Sequence, residues 1–190
     1  MNYHIIVPAE QHTTAWSGGL TRELYLQEPT SSYKQRNFTL RISTATVEAE
    51  TSIFTNLPEY QRCLMVLSGQ VSLRHGPGEF QRLQPFQPHY FDGGVTTISQ
   101  GICQDFNVMW HKEAPFQITI QCITRENWQH STVGTDFFYA YDGDFLLYAD
   151  TEEILLKKGE LLHIQGSMAY KLKQINQQST HLIHIALNQK

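Results

Sequence analysis

Long apolar runs are missing from this chain of 190 residues: the longest reach five, in stretches such as CLMVL and FFYAY. A membrane-spanning helix needs about 20, so none is expected. The opening MNYHIIVPAEQHTTAW lacks the basic start and apolar centre of a signal peptide, so the expected location is cytoplasmic, with no membrane partner. Basic residues are also few, 14 Lys and Arg against 18 Asp and Glu for a net charge of −4, and only Lys157 and Lys158 are adjacent. A phosphate backbone requires a basic stripe, which excludes nucleic acid as a partner. The three cysteines, Cys63, Cys103 and Cys122, form neither a CxxC pair nor an even framework, which suits a reducing compartment. Cys63 and Cys122 read as buried strand residues.

Motifs of catalysis and metal binding are lacking too. The histidines, His4, His12, His75, His89, His111, His130, His163, His181 and His184, never fall in HxH, HxxxH or HExxH spacing. His181 and His184 lie three apart in a strand-like run and would face opposite ways. No metal or other cofactor is therefore expected. There is no G-x-S-x-G elbow, and Glu152-Glu153 reads as a solvated turn.

Helical periodicity is nearly absent, and what recurs instead is strand. RISTATV (41–47), RCLMVLSG (62–69), QVSLRH (70–75), TTIS (96–99), DFNVMW (105–110), FQITIQCIT (116–124), DFFYAY (136–141), DFLLYA (144–149) and THLIHIAL (180–187) are β-branched and aromatic runs cut by Gly, Pro, Asn and Asp. Their spacing, near ten residues, predicts an all-β sandwich or barrel. An internal echo sharpens this. Leu64–Leu73 and Phe138–Leu147 each read as apolar strand, polar-Gly turn and apolar strand, the pattern of a hairpin. A segment Leu83–Phe86 or Leu156–Gly159 follows each, and then a closing Gly93 or Gly166. This predicts two copies of a double-sheet unit.

In WSGGLTREL (16–24) the glycine pair resembles a phosphate loop only superficially, since no Lys comes after it and LTRELYLQEP alternates like a strand. The pair reads as a tight turn. Its flanking residues admit two readings: Trp16 in the core with an exposed Arg22–Glu23 ion pair, or Thr21 and Glu23 turned into a pocket. In FTLRISTATV (38–47) alternation puts Arg41, Ser43, Ala45 and Val47 on one face. Arg62 shares a face with Leu64 and Val66, and Asp105 shares one with Asn107. Charges among apolar neighbours inside a barrel need partners. Either Arg41 or Arg62 is tied to Asp105 or Glu23 as a structural brace, or the two guanidiniums outnumber the local carboxylates and leave a fork for a ligand carboxylate.

The ordered series W-x-G-G-x-T-R-E, F-x-x-R-I-S-x-A-x-V, F-x-x-L-P-x-x-x-R-x-L-x-V-L-x-G, P-F-x-P-x-x-F-D-G and D-F-N-V-M lies at Trp16–Glu23, Phe38–Val47, Phe54–Gly69, Pro85–Gly93 and Asp105–Met109. It resembles the HutD/Ves family. The resemblance implies a bicupin, two jelly-roll halves in one compact chain, with residues 1–125 as the N-terminal half and 126–190 as the C-terminal half. It also implies a regulatory protein encoded with histidine-utilisation genes and sensing a small acidic metabolite, urocanate or a formylated glutamate. Other members carry the Ves name and an association with environmental response. The family's pocket residues carry over onto Trp16, Thr21, Glu23, Arg41, Ser43, Arg62, Asp92, Asp105 and Asn107. Arg41 and Arg62 would take the carboxylate, Thr21, Ser43 and Asn107 would add hydrogen bonds, and Glu23 and Asp105 would hold the arginines. This chain departs from the family in a shorter loop between the Trp and the Thr and in Leu40 where a Trp is usual; both changes are expected where a ligand is gripped. Two other readings stand beside this one: a metal-free isomerase or hydrolase acting on a small acid, and a structural protein with no ligand. Cupins commonly pair through sheet edges, which leaves a homodimer open.

Overall fold

All nine segments expected as strands are strands in the computed structural model of the protein, which describes residues 2–28, 30–124, 128–149, 152–174 and 180–190. In chain order the strands are β1 (Asn2–Ile6), β2 (His12–Trp16), β3 (Gly19–Leu26), β4 (Leu40–Val47), β5 (Thr51–Ile53), β6 (Tyr60–Gly69), β7 (Ser72–His75), β8 (Gln81–Arg82), β9 (His89–Asp92), β10 (Thr97–Gln100), β11 (Cys103–His111), β12 (Phe116–Ile123), β13 (Gln129–Ala140), β14 (Phe145–Ala149), β15 (Glu152–Leu156), β16 (Leu161–Gln174) and β17 (Leu182–Gln189). Glu152 and Glu153, expected in a turn, open β15 and are exposed there. No helix among the described residues is long and apolar enough to cross a membrane.

The strands group into two units, residues 11–114 and residues 1–10 with 115–190. The expected division at 125/126 falls outside the described residues. Its content changes for a physical reason: β1 pairs with β16 and β12 pairs with β17, so both ends of the anticipated first half belong to the other sheet. That sheet runs β12-β17-β13-β16-β14-β15, with β1 against β16. Its core gathers Phe138, Phe145, Leu147, Ile154, Leu162, Leu172 and their neighbours.

The unit of residues 11–114 has a six-stranded sheet, β2-β3-β4-β11-β6-β9, and a four-stranded one, β5-β10-β7-β8. The two expected hairpins are not hairpins. β6 pairs with β11 and β9, whereas β7 pairs with β10 and β8; β13 and β14 share a sheet but are separated by β16. The polar-Gly turn is a corner at which the chain leaves one strand position for a distant one. Gly69 serves it with φ +77° and a backbone so close to Ile102 that a Cβ would lie 2.4 Å from its carbonyl oxygen. The internal echo survives in the backbone: the aligned residues Phe86 and Gly159 both adopt positive φ, 59° and 84°.

A histidine pair joins the two sheets of this unit. His75 of β7 and His89 of β9 stack with ring centroids 5.2 Å apart and Nε2 atoms at 2.9 Å. Thr97 Oγ1 donates to the Val95 carbonyl and so accepts from His75 Nδ1–H. His75 Nε2 is therefore the bare acceptor for His89 Nε2–H. Burial pushes both rings below the ordinary histidine range, and His75 lowers His89 further. The unfolded chain takes up these protons near pH ~6.5 and the folded pair does not, so the pair's stability is complete above that value and is lost as pH falls through it. Urea midpoints of wild type are expected to fall more steeply between about pH 7 and about pH 5 than those of His89→Gln, which keeps a hydrogen-bonding group but does not titrate. Parallel pH profiles would show that the pair carries no protonation linkage.

Candidate functional site

Strand register builds the site. On β11, Met109 lies opposite Arg41 of β4 on one side and Arg62 of β6 on the other. The two arginines therefore stand at one level, two strand spacings (about 10 Å) apart, on the same face. Asn107, opposite Ser43 and Leu64, is the next inward position on β11, and Asp105, opposite Ala45 and Val66, the one after. β3 adds Glu23 opposite Ser43 and Thr21 opposite Ala45. A bulge follows Glu23 on β3, and another leaves Leu67 of β6 as the extra residue opposite Gln104–Asp105 of β11.

The glycine pair answers to backbone crowding. Ser17-Gly18 turns the chain from β2 into β3, and Gly19 has φ +146° with a Cβ position only 1.9 Å from the Thr46 carbonyl oxygen. No side chain fits there. The turn sets Trp16 and Thr21 on the cavity wall.

These faces enclose a cavity of about 500 Å³ lined by Trp16, Thr21, Glu23, Arg41, Ser43, Arg62, Asp105 and Asn107, among others. Arg41 and Arg62 are only 7% and 5% exposed. Arg41 is well braced: Nε donates to Glu23 Oε2 at 2.7 Å, Nη1 donates to Ser43 Oγ at 3.2 Å, and the guanidinium lies 4.4 Å from the centre of the Tyr33 ring. Arg62 is not. Its guanidinium sits 4.7 Å from the Phe54 ring centre and 5.4 Å from that of Phe91, and donates a long 3.5 Å bond to the Thr55 carbonyl. Among the described residues no carboxylate lies within ion-pair distance of it. Three buried atoms around the cavity have no hydrogen-bond partner among the described residues: Arg62 Nε, Asp105 Oδ1 and Asn107 Oδ1.

Burial governs the charges. Desolvation brings Arg62 down to about 10, still protonated at neutral pH, with Tyr33 and Asp105 opposing and Arg41 reinforcing the shift. The same desolvation pushes Asp105 up to about 7, against the pull of Arg62 and Arg41. Asp105 thus changes charge near neutrality instead of neutralising Arg62 permanently. The anticipated brace holds for Glu23 on Arg41; Asp105 makes no hydrogen bond to either arginine.

Eight of the nine residues expected at the site line the cavity, and Asp92 does not. It lies opposite Gln61 in the β6–β9 register, and Gln61 alternates with Arg62, so Asp92 points away. It accepts the Gly94 N–H at 2.8 Å and pairs with Lys112 at 2.8 Å. The hydrogen bond from Lys112 holds its carboxyl below the usual range. Trp16 is neither core nor remote: it is 38% exposed and lines the cavity. Lining residues that sequence reasoning missed are His12 and Thr14 on β2, Ser31–Lys34, Ser52 on β5, Phe54 and Thr55. Cys122, expected buried, is half-buried, while Cys63 is buried. Burial pushes all three thiols up to about 12, which makes them inert.

The HutD family model matches residues 9–182. The chain belongs to the HutD family. No curated protein sequence matches it. Among solved structures, it is similar to a conserved protein of unknown function from Pseudomonas aeruginosa PAO1, at TM-score 0.86 and 20% identity over 99% of this chain and 100% of that one. HutD from Pseudomonas fluorescens SBW25 matches at TM-score 0.79 and 20% identity, over 100% of both chains. A variant of oxalate decarboxylase from Bacillus subtilis matches at TM-score 0.69 and 8% identity, over 98% of this chain and 77% of that one. These likenesses establish an all-β, cupin-like fold. Of the two places where the resemblance led to an expected departure, the turn between Trp16 and Thr21 adjoins the cavity-lining Trp16. Leu40 is wholly buried and alternates with Arg41, so it faces away from the cavity.

Proposed function

We propose that this HutD-family chain binds a small carboxylate metabolite in the cavity of residues 11–114, as a regulatory sensor and not by catalysing a reaction. The observation that carries the reading is Arg62, a buried guanidinium with no carboxylate partner at bonding distance among the described residues, facing a cavity it shares with Arg41. An unpaired buried cation costs several kcal/mol and is retained where a ligand anion completes it. Asp105 Oδ1 and Asn107 Oδ1 also lack partners, so the best-fitting acid carries an N–H or O–H donor beside its carboxylate. Urocanate and formylglutamate, the acids that the family resemblance suggests, both have that combination, and with them the link to histidine utilisation.

Thermal melts with these two acids and a set of simple mono- and dicarboxylates test the reading, with the corresponding primary amides as controls. A rise in Tm with at least one acid and none with its amide is expected. No shift with any acid would leave the polar face as barrel packing and remove the proposal. One observation favours a second reading, a metal-free isomerase or hydrolase: a carboxyl titrating near 7 inside a cavity has the poise of a general base. Turnover of a bound acid, followed by proton NMR and abolished in Asp105→Asn, would establish it.

A further inference from the structure

We propose that His130, Asp136 and His184, in the unit of residues 1–10 and 115–190, form a binding site for a divalent first-row transition ion. Their donor atoms all lie within 4.8 Å of one another. Asp136 Oδ1 is 2.7 Å from His184 Nε2 and 4.0 Å from His130 Nε2. An ion ~2.1 Å from each donor requires donors about 3.0–3.4 Å apart, so the His184–Asp136 pair must open by about half an ångström and the wider separations close by about 1 Å or more. Two imidazoles and one carboxylate suit iron, zinc or cobalt and leave coordination positions open.

Chain geometry explains how residues so far apart converge. His130 and Asp136 share β13, and six residues of straight strand would span about 20 Å. Their side chains nevertheless meet, so the strand bends between them. Gly134 lies in that interval, opposite Gly166 of β16, whose φ is +130°. Facing glycines are where a sheet can fold sharply. His184 comes from β17, in register with Phe138 of β13. Donors six and 48 residues from Asp136 make no sequence motif, which is why spacing alone did not reveal them.

The surroundings orient the donors as a metal site requires. Tyr170 OH donates to the other Asp136 oxygen at 3.2 Å, and the Gln121 amide meets His184 Nδ1 at 3.0 Å. It is the amide nitrogen that faces Nδ1, so without an ion Nε2–H donates to Asp136; binding requires the amide to flip, so that its oxygen accepts Nδ1–H and Nε2 is left bare for the ion. Trp128 stacks on His130, and Phe138 on His184. Asp136 is wholly buried, and its ion-pair partners among the described residues are histidines, with no Lys or Arg. His130, partly exposed, and Tyr170 line a surface pocket that gives solvent a route to the open positions.

Untagged protein stripped with a chelator and titrated with Co²⁺ is the test, read by visible absorption. The expected result is saturation at one equivalent with ligand-field bands, reversed by Zn²⁺. His130→Ala, partly exposed and so compatible with folding, is expected to weaken binding at least about tenfold, and Asp136→Asn more. His111→Ala, in the other unit, should titrate like wild type. Absence of a saturable cobalt spectrum, or one unchanged in both His130→Ala and Asp136→Asn, would overturn the site and leave a hydrogen-bonded His–Asp pair.

Discussion

Asp105→Asn is expected to stabilise the protein, and by about 2–3 kcal/mol more at pH 8 than at pH 5. Asp105 is buried on the central strand β11, and desolvation lifts its carboxyl to about 7. In the unfolded chain it titrates near ~3.9. Between those values the folded protein holds a proton that the unfolded chain has released. The stability this proton represents is complete below about pH 4 and is lost as pH rises through about 7. At pH 8 the folded state carries a buried carboxylate at a cost on the order of 4 kcal/mol; at pH 5 it carries the neutral acid, and taking up the proton that the unfolded chain has released costs about 1.5 kcal/mol. Asparagine has the same shape and no charge, so it removes the cost at both. Urea unfolding at the two pH values measures the difference; an equal effect at both would mean that Asp105 ionises like an exposed carboxyl. The same residue ties ligand binding to protons. An anion entering beside Asp105 favours its neutral form, so affinity for a carboxylate is expected to fall by up to about tenfold per pH unit above about 7 in wild type and to stay level in Asp105→Asn.

Period-two alternation made the polar half of the cavity legible. It placed Arg41 with Ser43, Asp105 with Asn107, and Arg62 with Leu64, and all of these lie on inward faces. What alternation cannot give is the identity of a strand's neighbour. Ser68-Gly69 and Asp142-Gly143 carry the signature of hairpin turns, but β7 lies in a different sheet from β6, and β16 comes between β13 and β14, a choice made by long-range pairing and not by the turn. Asp92 came from the family resemblance and not from alternation; it sits one residue from Phe91, which does stack on Arg62, and a step of one residue reverses the face. β2 left little trace because His12, Thr14 and Trp16 remain exposed on an edge strand, with no buried set to alternate against. Tyr33 lies in a turn of polar residues, where nothing in the local pattern marks it as the ring beneath a guanidinium.

Arg41→Met and Arg62→Met are expected to fail in opposite ways. Arg41 donates to Glu23 at 2.7 Å, in a pair whose side chains are 8% and 23% exposed. Removing the guanidinium strands that carboxylate and the Ser43 hydroxyl beside it, a loss of about 3 kcal/mol in urea unfolding. Arg62 has no such partner to strand. Methionine retains its packing against Phe54 and Phe91, and losing the cation–π contacts is offset by no longer burying a charge, so stability should change by no more than about 1 kcal/mol. Binding reverses the order. With Nε committed to Glu23, Arg41 has less to offer a ligand, and its loss should weaken the best carboxylate of the melting screen about tenfold. Loss of Arg62, the uncommitted fork, should weaken it by about 10²–10³-fold in calorimetry. Arg62→Lys should recover only part of this, since an ammonium cannot grip a carboxylate in two places. If Arg62→Met instead unfolded as readily as Arg41→Met, Arg62 would be a structural brace, and the cavity would lose the charge that makes it a site for an acid.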